Sequence, residues 1–281
     1  MESFPALCNN EIRSIEILQE EREGEIARQV NPFSFYKKYS VAVLLLVAAL
    51  FAAAPRTARA HPFDETYPDA VEVLDSYRKM ADDNPEDVEL QYLYADVLVM
   101  SNELEKAEQV ILKRVLARDP KYDMAYYLLS EVYYRQRKFE KALEPLQKIK
   151  AKDLKDDVLI AEATIYLKLN KPKKCMEKAR AAMKVDSTNP GGNLHVGLAY
   201  IELGDKKKGM EHMEDSLRMN PYQPLVYDWL MELYKDNLTL EQQLKKLEGF
   251  LSLAPARSDF GIRLRKDIED LKALIKKKKK K

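Results

Sequence analysis

Between residues 86 and about 255 the apolar positions fall at i, i+3, i+4 and i+7 in short stripes, each broken by polar residues or a proline. That spacing predicts a string of amphipathic helices and no strands. The stripes also repeat. Pro85, Pro120, Pro190, Pro221 and Pro255 mark successive unit boundaries, and the 70-residue gap from Pro120 to Pro190 holds two units. The second of those starts near Asp153 to Asp156 without a proline. Five units of 31 to 36 residues therefore tile 86–255, each predicting a helix A, a turn and a helix B.

Side-chain size recurs in phase with this period. Unit two places Tyr126, Leu129, Ser130 and Tyr133 on helix A, then Phe139, Ala142, Leu146 and Ile149 on helix B. Unit one reads Gln91, Tyr94, Ala95, Leu98, then Leu104, Ala107, Ile111, and unit three Leu159, Ala163, Tyr166, then Cys175, Ala179, Ala182. Unit four reads Val196, Gly197, Tyr200, Gly204, then Gly209, Met213, Leu217. Unit five, Tyr227, Leu230, Met231, Tyr234, then Leu240, Leu247, Phe250, has a bulky Met231 at the position that is small elsewhere.

This register of large, leucine and small positions resembles the tetratricopeptide repeat (TPR) pattern and covers about 60% of the chain. The resemblance implies an all-α fold, a right-handed TPR α-solenoid of about five helix-turn-helix repeats with flanking capping helices. Small residues at Ala95, Ser130, Ala163 and Gly197 let helix A approach helix B closely. Each hairpin then leaves an apolar face that only its neighbour covers, so the array needs capped ends. Ala70, Leu74 and Tyr77 supply a front cap within 63–84. Phe260, Leu264, Ile268, Leu271 and Ile275 supply a rear cap over 258–275, with Ser258 as N-cap and a lysine tail at 276–281.

Ahead of the repeats, Val41 to Ala54 is an unbroken apolar run of 14 residues, preceded by Lys37-Lys38 and followed by Arg56-Thr57-Ala58-Arg59-Ala60. A basic flank, a short apolar core and an Ala-x-Ala end predict a cleavable signal peptide, cut after Ala60, and so an exported protein. The run is shorter than the roughly 20 residues that span a bilayer. An uncleaved signal anchor is the alternative, in which case the protein meets the membrane. The segment from Glu2 to Glu25 carries seven acids, unusual ahead of a signal core, which suggests initiation further downstream near Val30.

Composition adds little to the fold and more to the exclusions. The net charge of +1 becomes about −5 without the terminal lysines, so a nucleic-acid partner is not expected. Cys8 and Cys175 cannot form a disulfide framework, and Cys175 occupies a small apolar position of its repeat. Three histidines, with His195 and His212 17 residues apart, make no helical metal site, and no phosphate-loop or nucleophile motif occurs. The chain reads as a non-enzyme without cofactor. Cleavage after Ala60 would expose His61 as a terminal amine-imidazole pair for copper, a reading weakened by Pro62.

In TPR proteins the concave wall is lined by the second, fifth, ninth and twelfth positions of helix A. Carried onto this chain, the resemblance gives Glu89, Tyr92 and Asp96 from unit one, and Met124, Tyr127, Glu131 and Tyr134 from unit two. Ile160 comes from unit three, and Leu194 and Leu198 from unit four. No Lys and Asn pair stands at these positions, which disfavours the acidic chaperone tails that some TPR proteins grip. Acid and tyrosine at the front with aliphatics behind suit a protein or peptide segment bearing basic and apolar anchors. Leu194, Leu198 and Ile201 have the competing reading of plain packing residues. A second surface, Arg135, Arg137 and Lys138, then Lys171, Lys173 and Lys174, then Lys206, Lys207 and Lys208, predicts a basic edge at the A–B turns. It complements helix C-termini or touches an anionic envelope surface weakly. The expected function is a protein-protein interaction scaffold in the periplasm or cell envelope. The alternatives are a membrane-anchored envelope adaptor and an accessory subunit of an envelope enzyme or secretion complex.

Overall fold

A computed structural model describes residues 69–255 and 258–280. The apolar run 41–54, the cleavage site at Ala60, His61 and Cys8 lie outside them. The chain divides at residue 76, and residues 77–281 make one unit. Helix α1 (Asp69–Asp83) begins before that point, and the remaining described helices lie after it. They are α2 (Val88–Met100), α3 (Leu104–Val110), α4 (Asp123–Arg135), α5 (Phe139–Leu146), α6 (Lys155–Lys168) and α7 (Pro172–Val185). Then follow α8 (Pro190–Glu202), α9 (Lys206–Met219), α10 (Pro224–Asn237), α11 (Leu240–Phe250) and α12 (Asp259–Lys278). No strand occurs among the described residues. Even-numbered helices from α2 to α10 are the A helices and odd-numbered ones from α3 to α11 the B helices, an all-α TPR solenoid.

Packing follows chain order: α2 on α3, α3 on α4, α5 on α6, α7 on α8, α9 on α10 and α11 on α12. The recurring large positions fill the interior, where Leu98, Ile111, Met213, Tyr227, Tyr234, Leu247 and Phe250 are fully buried. Each such side chain contributes about 1.5–3 kcal/mol relative to exposure. The recurring small positions set the crossings. Ser130 uses its close approach to donate a hydrogen bond from Oγ to the Ala142 carbonyl at 2.7 Å. Unit four is the tightest, because a Cβ on Gly197 would stand 2.9 Å from both the Gly209 carbonyl oxygen and Met213 Cγ.

The A–B turns of the first four units share one solution. Asn102, Arg137, Asn170 and Gly204 adopt left-handed φ of 59°, 60°, 54° and 86°. Each closes a Schellman pair: Glu103 and Asn102 donate to the Leu98 and Val99 carbonyls at 2.8 and 3.0 Å. Lys138 and Arg137 do the same to Tyr133 and Tyr134 at 2.8 and 2.9 Å. These bonds satisfy carbonyls that a helix end otherwise leaves open.

Unit five departs from this. Leu238 stands extended at φ −127°, and a Thr239–Gln242 capping box starts α11. Gln243 occupies the helix-B position that is Ala, Ala, Cys and Gly in units one to four. Its buried amide donates to the carbonyls of Tyr234 at 3.2 Å and Leu238 at 3.0 Å. With Met231 and Gln243 at the two small positions, α10 and α11 meet along a much shorter stretch than the other hairpins. A recess of about 340 Å³ opens there, lined by Met210, Glu214, Tyr234, Leu238 and Lys246 among others.

Unit length also has a local signature. Ala95 to Ser130 is 35 residues where Ala163 to Gly197 is 34. The extra residue is absorbed by a π-turn over Ile111–Val115, with Leu116 N–H reaching the Ile111 carbonyl at 2.8 Å. At the rear, Ser258 Oγ accepts from Gly261 N–H at 3.0 Å and caps α12. That helix continues through Lys276–Lys278, so three lysines of the expected tail extend the capping helix three residues past its predicted end at 275.

Candidate peptide-binding groove

Helices α2 and α4 bring Glu89, Tyr92 and Asp96 beside Tyr127 and Glu131. The side chains share one electric field. Burial raises the Tyr92 hydroxyl pKa above its usual value, and Asp96, Tyr122, Glu89 and Glu131 push the same way. Tyr127 is raised likewise by burial, then by Asp157, Glu131 and Asp156. Asp96 is part-buried and accepts no hydrogen bond among the described residues. Its pKa rises from 3.8 to about 6, because burial and Glu131 disfavour the charge more than Arg135 favours it. Five carboxylates therefore surround two tyrosines.

Tyr122 and Arg135 join this cluster although the positional pattern omits both. The Tyr122 hydroxyl donates to Glu89, and its ring lies 5.3 Å from that of Tyr92. Arg135, expected on the basic edge, turns into the groove instead: it pairs with Glu131 at 2.6 Å and donates to the Val99 carbonyl at 3.2 Å. The i, i+4 spacing of Glu131 and Arg135 was the sequence signal for this. Tyr134 leans on Phe139 with ring centroids 5.5 Å apart, and Met124 is part-buried in the first turn of α4.

Further along, the predicted wall is occupied by packing. A Cβ on Gly191 would lie 3.3 Å from Ile160 Cγ2. Thr164 meets His195 Nε2 at 2.7 Å, while His195 Nδ1 lies 2.8 Å from the Gly191 carbonyl. The carbonyl requires Nδ1 to carry the proton, so Thr164 donates to Nε2. Burial lowers the His195 pKa and keeps it neutral. Leu194, Leu198 and Ile201 are part-buried against a core shared by units four and five, which includes Met210, Met213, Tyr227 and Leu230. The structure thus brings the front residues together and leaves Leu194 and Leu198 part-buried beside the apolar core of units four and five.

The basic edge is partly engaged too. Lys141, Lys174 and Lys208 lie over the rings of Tyr133, Tyr166 and Tyr200 at 4.0, 5.3 and 5.3 Å from Nζ to centroid. Each pair is eight residues apart, one rung per unit. Buried Cys175 has its thiol pKa pushed up to about 12, chiefly by burial. No cluster of three or more His, Cys, Asp or Glu among the described residues is placed to hold a metal, and no described helix is long and apolar enough to cross a membrane.

Stacked helical hairpins with small residues at each crossing define a helical-repeat protein. Residues 65–114, 111–156 and 192–223 match tetratricopeptide repeat families, and the chain is a TPR protein. It is 26% identical over 119 residues to the DnaJ homolog subfamily C member 3 of Gallus gallus, a match covering 42% of this chain and 23% of that one. The chain thus spans about a quarter of that relative's length. The fold is similar to the crystal structure of the APC/C hetero-tetramer Cut9-Hcn1, with a TM-score of 0.55 at 12% identity, covering 72% of this chain and 40% of that one. It is also similar to YrrB, described as a TPR protein with an unusual peptide-binding site. That alignment has a TM-score of 0.43 at 18% identity, covering 69% and 99% of the two chains.

Proposed function

We propose that this chain is a non-catalytic interaction scaffold, exported through the segment ending at Ala60, whose front groove holds a partner segment by a basic side chain. One observation carries the reading: Asp96, part-buried beside Glu131, has no donor of its own among the described residues. A carboxylate so placed is unfavourable until a cation reaches it. A partner lysine or arginine between Tyr92 and Tyr127 meets acid on one side and aromatic faces on the other. Apolar anchors of the partner would rest against Met124. The periplasm or cell envelope is the proposed location. Retention of 41–54 as an anchor would make the same scaffold an envelope adaptor, with the exposed Lys173 and Lys207 facing anionic headgroups.

Pull-downs from envelope extracts with the native chain and with Tyr127→Ala and Glu131→Lys test the groove. Capture is expected to fall in both variants, and undiminished capture by both discards this surface. Cell fractionation with N-terminal sequencing tests export; the expected mature chain begins at His61.

A further inference from the structure

We infer that the segment entering the front groove is the lysine run Lys276–Lys281 of a second copy of this chain, so that the protein associates head to tail. The inference rests on the groove reading above and adds the identity of the occupant.

Charge is left uncompensated at both ends of the repeat array, with opposite sign. At the front, Asp96 has no donor among the described residues, and the nearby Arg135 is already paired with Glu131 at 2.6 Å. Glu89 and Asp156 add to the same negative field through their action on Tyr92 and Tyr127. At the rear, Lys272 pairs with Glu248 at 2.9 Å, but Lys276–Lys280 are exposed and make no ion pair among the described residues. Lysine also suits tyrosine walls in this protein, as the three rungs of Lys over Tyr demonstrate.

The run is not placed to serve its own groove. Helix α12 packs on α11, and units three to five separate it from α4. Lys276–Lys278 are held within α12 itself, and hairpin layers of about 10 Å each stand between that helix and α4. A second copy meets no such restriction. Because a front and a rear are different surfaces, the contact is heterologous and each copy keeps one free end.

Sedimentation equilibrium of the full chain provides the test. Concentration-dependent association is expected at about 50 mM salt and its loss at about 500 mM, where exposed charges are screened. A chain ending at Ile275 and the variant Glu131→Lys should each associate at least about tenfold more weakly. Mixed together, they should form one-to-one complexes, since one supplies an intact groove and the other an intact run. If Glu131→Lys fails to fold by circular dichroism, Asp96→Asn takes its place. Undiminished association of the chain ending at Ile275, failure of the mixture to pair, or a monomer at every concentration would overturn the inference. A labelled hexalysine peptide separates the two readings. If it binds the native chain, weakens with Asp96→Asn and yet the chain stays monomeric, the groove reading stands and only the second-copy partner falls. If hexalysine does not bind either, both fall.

Discussion

Asp96 is a part-buried carboxyl without a hydrogen-bond donor among the described residues, and this has a measurable signature in the free protein. Its pKa of about 6 lies above the ordinary 3.8, so the folded state holds the proton more tightly than the unfolded chain. The group therefore favours folding most below pH 3.8, and that contribution is lost as pH rises to about 6. Asp96→Asn removes the charge in a side chain of similar shape. Thermal melts should show Asn stabilising by about 1–3 kcal/mol at pH 7.5, with the gain shrinking towards zero near pH 4. A variant that gains stability while losing its partner marks a residue retained for binding. Backbone strain gives a second test at this scale. Arg137 holds φ 60° at a position where glycine carries no Cβ penalty, so Arg137→Gly should raise stability by about 0.5–1 kcal/mol. Gly204→Ala, where an added Cβ meets nothing within 4 Å, should lower it by about 1 kcal/mol through φ alone. Denaturant midpoints at constant m-value check both.

Between the two helices of a hairpin, distance is set by the smallest pair of facing residues. Gly197 and Gly209 set it in unit four, and Gly197→Ala must push α8 from α9 or displace Met213, at about 1–3 kcal/mol. In a Met213→Ala background Gly197→Ala should cost less than in the native chain, because the truncation vacates space the new methyl needs; a double-mutant cycle by urea unfolding decides this. This hairpin geometry was legible in the sequence because side-chain volume at a crossing is a local property. Met231 already marked unit five as the odd member. What replaced the close crossing there, a buried Gln243 amide serving two carbonyls, was not legible, since a glutamine in a helix ordinarily reads as surface. The left-handed turns were hidden for a related reason: Asn, Arg, Asn and Gly share a conformation but no residue type. At the groove, the ninth position of unit one gives Asp96, but its lack of a donor among the described residues depends on what α4 presents and could not be read from unit one. Leu194 and Leu198 have the wall register too, and how far they are covered depends on an apolar core that units four and five build together, which no pattern within unit four alone contains.

Because each hairpin is completed by its neighbours, stability along the array is a sum of units and interfaces, and its weakest interface sets where opening begins. Unit five has the shortest contact within its hairpin, and its attachment to unit four joins a shared apolar core to one buried carboxylate. Glu214, only 3% exposed, accepts from the Tyr234 hydroxyl at 2.8 Å and from Lys246 and Arg218 at 2.7 and 3.1 Å. Lys246 and Arg218 are 39% and 50% exposed, so both keep water if Glu214 is removed. Tyr234 is not so placed: its hydroxyl is buried, and burial with Glu214 raises its pKa, so it stays a donor without an acceptor in Glu214→Ala. The loss should be about 1–3 kcal/mol, the range for one stranded polar group plus a cavity rather than for a broken buried ion pair. Its distribution matters more than its size. Hydrogen exchange should show faster opening of α10, α11 and α12 together, while α4 to α7, whose neighbours are untouched, keep their protection. Slowing of exchange nowhere and acceleration everywhere would mean that the array opens as one cooperative block. In that case the interface between units four and five is not its weak joint, and the splayed fifth hairpin is held as firmly as the rest.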